Sequence, residues 1–369
     1  MSTGPHSGGS DQSDSHLNPQ VVRELPPREP PARRGGWRRF FLVLVLLALV
    51  GSLLMNFMFA ALAGLGLAGG WETERRVQEK FVSHNPAARD KVVILPIEGV
   101  ILETEEGFVS RAIDHALRDD DVKAVVLRVN SPGGSVSGSD YLYHHLCRFA
   151  DNEKRKIPLV VSMGGIAASG GYYVTMAVGP TPDAIFAEPT TFTGSIGVII
   201  PHYNLADLMQ KVGAEDDSIA SNPLKMMGSL SKPMSEQERR IFQALVDHSF
   251  ARFKQVVRAG RSKFERDPAA LDRLATGQIY AAEQAQKNGL IDKIGFLEDA
   301  VDRAIALAGL DKDQTKVVRY KPEVSLSSML LGSQARNSPA AELRALLEMT
   351  TPRAYYLATW LPGLAAGGE

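Results

Sequence analysis

From Phe40 to Ala68 the chain carries no charged residue. At about 1.5 Å per residue, a helix of that length exceeds the roughly 30 Å hydrocarbon core of a bilayer. Residues 37–70 are therefore expected to form a single transmembrane anchor that stands apart from the core of the remaining chain. Arg33, Arg34, Arg38 and Arg39 precede the run, whereas Glu72 and Glu74 mix with Arg75 and Arg76 after it. This asymmetry places the N-terminus in the cytoplasm and everything beyond Trp71 outside it. The rival is a cleaved signal peptide with Ala61, Leu62 and Ala63 at a small-residue site, but typical apolar regions of that kind have only about 7–15 residues. Residues 1–36, rich in Ser, Gly and Pro, show no apolar period and are expected to be a disordered cytoplasmic tail.

The composition excludes several functions. A formal net charge of −1 over 369 residues leaves no electrostatic footprint for nucleic acid. The lone cysteine, Cys147, rules out an intramolecular disulfide and a cysteine-based metal cluster. Nothing in the pattern calls for a metal or cofactor.

After a linker (71–90), β-branched runs alternate with helical periods. KVVILPIEGVI (91–101) reads as a strand, FVSRAIDHALRDDDV as a helix, and KAVVLRVNSPGG as a strand ending in a Pro-Gly-Gly turn. The pattern continues through helix SGSDYLYHHLCRFA, strand IPLVVSMGG, helix SGGYYVTMAV, short strand AIFAEP and SIGVIIP. Repeated β-α-β units of this kind predict an α/β fold around a mostly parallel sheet. Ser235 followed by Glu238 forms a capping-box signature at the start of a long amphipathic helix.

Three segments carry chemistry. In RVNSPGGSVSGS, Gly133 and Gly134 let another backbone approach and leave N–H groups to bind an anion or an extended peptide. In GGIAASGGYY, Ser169 opens a helix beside the N–H of Gly170, which suits a nucleophile next to an oxyanion donor. A serine there is also the ordinary N-cap of a closely packed helix. Both loops would leave the carboxyl ends of neighbouring parallel strands, where clefts in open α/β sheets lie. A serine nucleophile needs a base, and of the eight histidines only His202 is placed to serve. Lys225, in the apolar setting PLKMMG, is the better choice, because desolvation pulls a lysine toward neutrality.

The motifs VNSPGGSVSGSD, GGIAASGGYYV, TGSIGVI and KMMGS followed by KPMSEQER resemble the signal peptide peptidases of the SppA family, short form. These are membrane-anchored bacterial serine peptidases related to ClpP and the crotonase fold. The likeness covers roughly residues 91–310, leaving 311–369 as a C-terminal extension. It implies a ClpP/crotonase-like α/β fold with a Ser–Lys dyad, in which Ser169 is the nucleophile, Lys225 the general base and Ser195 the residue orienting the lysine. Gly133, Gly134 and Gly170 match the positions that form the oxyanion hole. The acid that commonly follows the family's lysine is replaced here by Met226.

The resemblance further implies extended apolar substrates such as remnant signal peptides, a location in the bacterial inner membrane, contact with membrane lipid, and a homo-oligomer whose neighbouring subunits complete each site. The alternatives are a non-catalytic membrane scaffold of the same fold, a peptidase for specific membrane proteins, and a crotonase-like acyl-CoA enzyme, which the membrane anchor disfavours. In the extension, Tyr355, Tyr356, Leu357 and Trp360 are expected either to dock on the oligomer or to occupy a cleft.

Overall fold

In the computed structural model, Asp90–Ile101 forms a strand whose side chains divide between two apolar faces, as period-two alternation requires. Val93, Leu95 and Ile97 enter one core, while Val92 and Ile94 enter the other. The neighbouring strand Val122–Ser135 repeats the division, with Val125, Leu127 and Val129 on one face and Ala124 and Val126 on the other. Strands buried on both faces are the mark of a parallel sheet covered by helices on each side. The structure describes residues 36–73, 77–102, 107–152, 155–322 and 354–357.

In chain order the strands are β1 (Val77–His84), β2 (Asp90–Ile101), β3 (Val122–Ser135), β4 (Leu159–Ala168), β5 (Ile185–Ala187), β6 (Phe192–Gly194), β7 (Ile279–Ala281), β8 (Lys293–Ile294), β9 (Thr315–Pro322) and β10 (Tyr355–Leu357). The main order across the sheet is β1-β9-β2-β3-β4-β5-β8. The pairs β9·β2, β2·β3, β3·β4, β4·β5 and β5·β8 are parallel. β4 parts company with β5 after Met163 and pairs its last residues with β6, so that Ala168 lies opposite Gly194. Two parallel strand ends are thereby brought side by side.

Among the described residues the first six helices in chain order are α1 (Gly36–Thr73), α2 (Phe108–Arg118), α3 (Val136–Asp151), α4 (Gly170–Thr175), α5 (Ala206–Lys211) and α6 (Glu236–Gly260). Ile113 of α2, Phe149 of α3, Tyr172 and Tyr173 of α4 and Phe253 of α6 fill the larger core. The helix Leu297–Leu307 covers the opposite face through Ala300, Val301, Ala304 and Ile305. α1 is described by itself: its segment Arg39–Met58 is long and apolar enough to cross a membrane.

Four segments differ from the sequence reading. Val77–His84, assigned to a linker, is an edge strand antiparallel to β9. β9 and β10 come from the C-terminal extension but belong to the same sheet. The Pro-Gly-Gly segment is no turn, because β3 continues through it, pairing Gly133 with Val100 and Gly134 with Ile101. Long-range pairing here outweighs the local turn preference of the three residues. Ser195–Pro201, read as apolar and β-branched, forms only an isolated bridge at Ile199. The N-terminal tail and Trp360 lie outside the described residues.

The capping box is present as read: Ser235 Oγ accepts from Glu238 N–H, and the Glu238 carboxylate accepts from Ser235 N–H at 2.8 Å. Ser235→Ala should therefore lower unfolding stability by about 1 kcal/mol, read as a reduced urea midpoint with an unchanged slope.

Candidate active site

Parallel strands β4 and β6 end together, and each is followed by a serine with a backbone conformation that serine rarely adopts. Ser169 has φ 54 and ψ −117, and Ser195 has φ 51. Positive φ costs a residue bearing a Cβ on the order of 1–3 kcal/mol and persists only where the surroundings impose it. The imposition is visible. Ser169 N–H donates to Gly194 O at 2.8 Å, Ser195 N–H donates to Gln278 O at 2.7 Å, and Tyr173 N–H donates to Ser169 O at 2.8 Å.

Ser169 stands at the N-cap of α4, yet its side chain makes no capping hydrogen bond. The hydroxyl is not spent on the helix, which removes the simplest structural reason for a serine there. Ser169 is 1 % exposed and Ser195 7 % exposed. Both line a cleft of ≈ 460 Å³ together with Ile199, Val246, Phe250 and Leu357.

The glycines expected beside the nucleophile are where three backbones meet. A Cβ on Gly170 would lie 2.3 Å from Ser139 Oγ and 3.1 Å from both Gly134 N and Tyr356 O. A Cβ on Gly133 would lie 2.0 Å from Tyr356 O and 2.7 Å from Gly170 N, and Gly133 has φ +101. A Cβ on Gly134 would fall 1.7 Å from Ile101 O. No side chain fits at any of the three.

Their roles are not equal. Gly133 N–H donates to Ser131 Oγ at 3.1 Å, and Ser131 Oγ in turn donates to Gly99 O at 2.6 Å. The expectation that Gly133 supplies an oxyanion donor is corrected accordingly: its N–H is taken up within the chain, and what it contributes is space. The buried Ser131, which the sequence reading passed over, is the acceptor.

The floor of the site is tied across three helices. Tyr173 of α4 donates to Asp140 of α3, and Arg252 of α6 grips the same Asp140 oxygen through Nε at 3.2 Å and Nη2 at 2.9 Å. Burial, reinforced by the bond to Asp140, pushes the Tyr173 phenol far above its ordinary value. Asp140 and Tyr173 both lie within the motifs VNSPGGSVSGSD and GGIAASGGYYV, but only the apposition of α3 and α4 shows that they meet.

The structure does not bring every expected site residue to the cleft. Ser169, Ser195 and Gly170 converge, with Gly133 and Gly134 packed against them. Lys225 does not line the cleft. It sits exposed on the short 3-10 turn Pro223–Met226, whose N-cap is the side chain of Asn222. The apolar neighbours that suggested a desolvated amine leave it open within one chain: Leu224 is itself exposed and Met226 only half-buried. His202 lies at 3.3 Å from Ser229 O and is not part of the cleft either. Among the described lining residues the one ionisable side chain is Asp247, which accepts from Gln243 at 2.8 Å.

Comparison with known proteins finds relatives of this chain. The profile of Peptidase family S49 matches residues 151–311. A candidate signal peptide peptidase SppA of Enterococcus faecium is 36% identical over 264 residues, 67% of this chain and 72% of that protein. A candidate protease of Synechocystis is 33% identical over 265 residues, covering 71% of this chain and 90% of its own. Protease 4 of Haemophilus influenzae is 33% identical over 264 residues, and there the match takes 68% of this chain but 41% of the larger relative.

Strain at Ser169 has a measurable sign. Glycine adopts positive φ freely, so Ser169→Gly should unfold at higher urea than Ser169→Ala, by about 1 kcal/mol after glycine's own entropic cost is set against the relieved strain. Equal midpoints for the two variants would show that the backbone there is not strained.

Proposed function

The chain belongs to the SppA-type serine peptidases of family S49, and from that membership we propose that it is a membrane-anchored endopeptidase whose catalytic pair is Ser169 and Lys225. The observation that carries the reading is the setting of Ser169: a hydroxyl with no capping hydrogen bond, held at positive φ beside closely packed glycine backbone, at the wall of a cleft. Strain stored at one hydroxyl next to oriented N–H groups is the signature of a preorganised nucleophile.

The base comes from a second copy of the chain. Ser169 has no lysine or histidine beside it among the described cleft residues, while Lys225 is exposed on a segment rich in uncovered apolar side chains. Tyr203, Leu208, Val212 and Ile219 are more than half exposed, and Ile219 wholly so. Exposed apolar residues so concentrated mark an interaction surface, and a head-to-tail assembly would carry one subunit's Lys225 to its neighbour's Ser169. Desolvation in that interface favours the neutral amine. The amine takes the Ser169 proton, Oγ attacks the peptide carbonyl, and the N–H groups of Gly134 and Gly170 receive the developing oxyanion. Ser195, beside Ser169 in the cleft, is placed to orient the incoming amine.

α1 is the anchor on this reading, with the catalytic unit on the extracytoplasmic side of the inner membrane. Substrates are extended apolar peptides, of which signal peptides left in the membrane are the nearest class. A cleft walled by Ile199, Val246 and Phe250 suits them.

The test is hydrolysis of an apolar fluorogenic peptide by the detergent-purified protein beside Ser169→Ala and Lys225→Ala. Each variant should lose at least about 10³-fold in kcat with oligomeric size kept. Co-assembling the two inactive variants should restore activity, since random mixing leaves roughly one site in four with both groups. No recovery in a verified mixed oligomer would place the two residues in the same subunit. A well-folded parent no faster than its variants would favour the non-catalytic scaffold.

A further inference from the structure

Four elements bring polar side chains together at the β1 edge of the sheet, and none of these side chains lines the cleft. Glu79 of β1 lies directly opposite Tyr320 of β9 in their antiparallel register, so both stand on one face of the sheet. His115 and Asp119 are four residues apart at the end of α2, the spacing that puts two side chains on one face of a helix. That face covers the same edge. The His115 ring meets the Tyr320 ring edge-on with centroids 5.3 Å apart, and His115 Nε2 lies 3.8 Å from Glu79 Oε1. Lys91 of β2 completes the group, its ammonium donating to Glu79 Oε1 at 2.9 Å, to Glu79 Oε2 at 3.1 Å and to Asp119 Oδ2 at 2.7 Å.

Lys91 does not account for the whole cluster. Tyr320 is 0 % exposed, and its phenol oxygen is buried with no hydrogen-bond partner among the described residues. Folded interiors pair nearly all such groups, because an unpaired buried hydroxyl is costly. Burial pushes the phenol upward and the charges of Glu79 and Asp119 add to the effect, so the oxygen is turned toward the two carboxylates. His115, with its side chain 45 % exposed, holds its Nε2 beyond hydrogen-bond reach of Glu79. An imidazole nitrogen and a phenol thus face two carboxylates without bonding to them.

We propose that Glu79, His115 and Asp119 bind a divalent transition-metal cation of the zinc class. One donor atom from each lies within 4.8 Å of the other two. Zinc takes imidazole nitrogen and carboxylate oxygen at about 2.0–2.2 Å, which sets tetrahedral donors roughly 3.4 Å apart. The three therefore need to close only a little, and partly exposed side chains are free to do so. A water in the fourth position donates to the Tyr320 phenol oxygen, the partner that oxygen lacks. Two carboxylates outweigh one ammonium, so the group keeps a net negative charge that draws a dication. On metal binding Lys91 gives up Asp119 and keeps Glu79 Oε2, turning from a bridge between the carboxylates into a support for one ligand. The donors come from positions 79, 115 and 119 with support from 91 and 320, so no ligand spacing marks them in the sequence. The bound cation ties β1, an edge strand, to α2.

Equilibrium dialysis of the detergent-purified full chain against zinc chloride near neutral pH, free of any affinity tag, tests this. The parent should hold one zinc per chain. His115→Ala, Glu79→Gln and Tyr320→Phe should each weaken binding at least about tenfold. Zinc should raise the urea midpoint of the parent and leave that of His115→Ala unmoved, a readout that a change confined to folding would not give. Cobalt(II) in place of zinc should give the parent, and not His115→Ala, the intense visible absorption of a four-coordinate site. His144 and His145, with rings 5.5 Å apart, are the adventitious alternative, and replacing both by alanine should leave the zinc in place. A parent that holds no zinc would overturn the proposal. So would zinc held as tightly by His115→Ala and Glu79→Gln as by the parent, or zinc lost with His144 and His145.

Discussion

The organisation of this protein depends on one place where side chains are not allowed. At the carboxyl ends of β3 and β4, a Cβ on Gly133, Gly134, Gly170 or Gly171 would come within 2.0, 1.7, 2.3 and 2.5 Å of another atom, backbone in all cases except the Ser139 hydroxyl at Gly170. Such contacts cannot be relieved by turning a side chain. Four glycines therefore let two loops and a third, extended backbone meet. Everything around them serves to hold that meeting in register. The central strands are buried on both faces, Ser131 bridges Gly99 and Gly133, and Asp140 ties Tyr173 to Arg252. A scaffold so fixed is able to keep Ser169 and Ser195 at positive φ, a strain that a looser structure would release.

The parts of this arrangement that depend on local rules were legible in the sequence. The strands follow from runs rich in valine and isoleucine in 91–97 and 122–129, and the start of α6 follows from Ser235 and Glu238. Ser169 drew attention in the sequence because it stands between Ala167-Ala168 and Gly170-Gly171, where almost no side chain crowds the hydroxyl. What was not legible depends on partners distant in the chain. Pro132-Gly133-Gly134 has the local chemistry of a turn, and becomes strand because Val100 and Ile101 pair with it. Val77–His84 has too mixed a pattern to read as strand, and is held as an edge by β9, far away in sequence. Edge strands carry polar residues for good reason, so alternation fails where it is most needed.

Lys225 illustrates a different limit. Its neighbours Pro223, Leu224, Met226 and Met227 look like the lining of a dry pocket, but within one chain they surround an exposed turn. Apolar residues flanking a charge describe either a core or an interface, and composition does not separate the two. The same ambiguity attached to Tyr355, Tyr356 and Leu357. Their apolar character fitted docking against another subunit or occupation of a cleft, and only register with Gly133 and Gly134 decides for the cleft.

The geometry of the cleft also bears on what such an enzyme can attack. A chain lying between Ser135 and Ile199 must offer its own N–H and C=O groups to both sides. Those groups are already paired in a folded protein and in an intact helix, so a folded neighbour is excluded without any side-chain discrimination. An extended segment whose backbone is unsatisfied gains hydrogen bonds on entering, and an apolar one also gains burial against Val246 and Phe250. If the base must in addition arrive from another subunit, catalysis is confined to the assembled form as well.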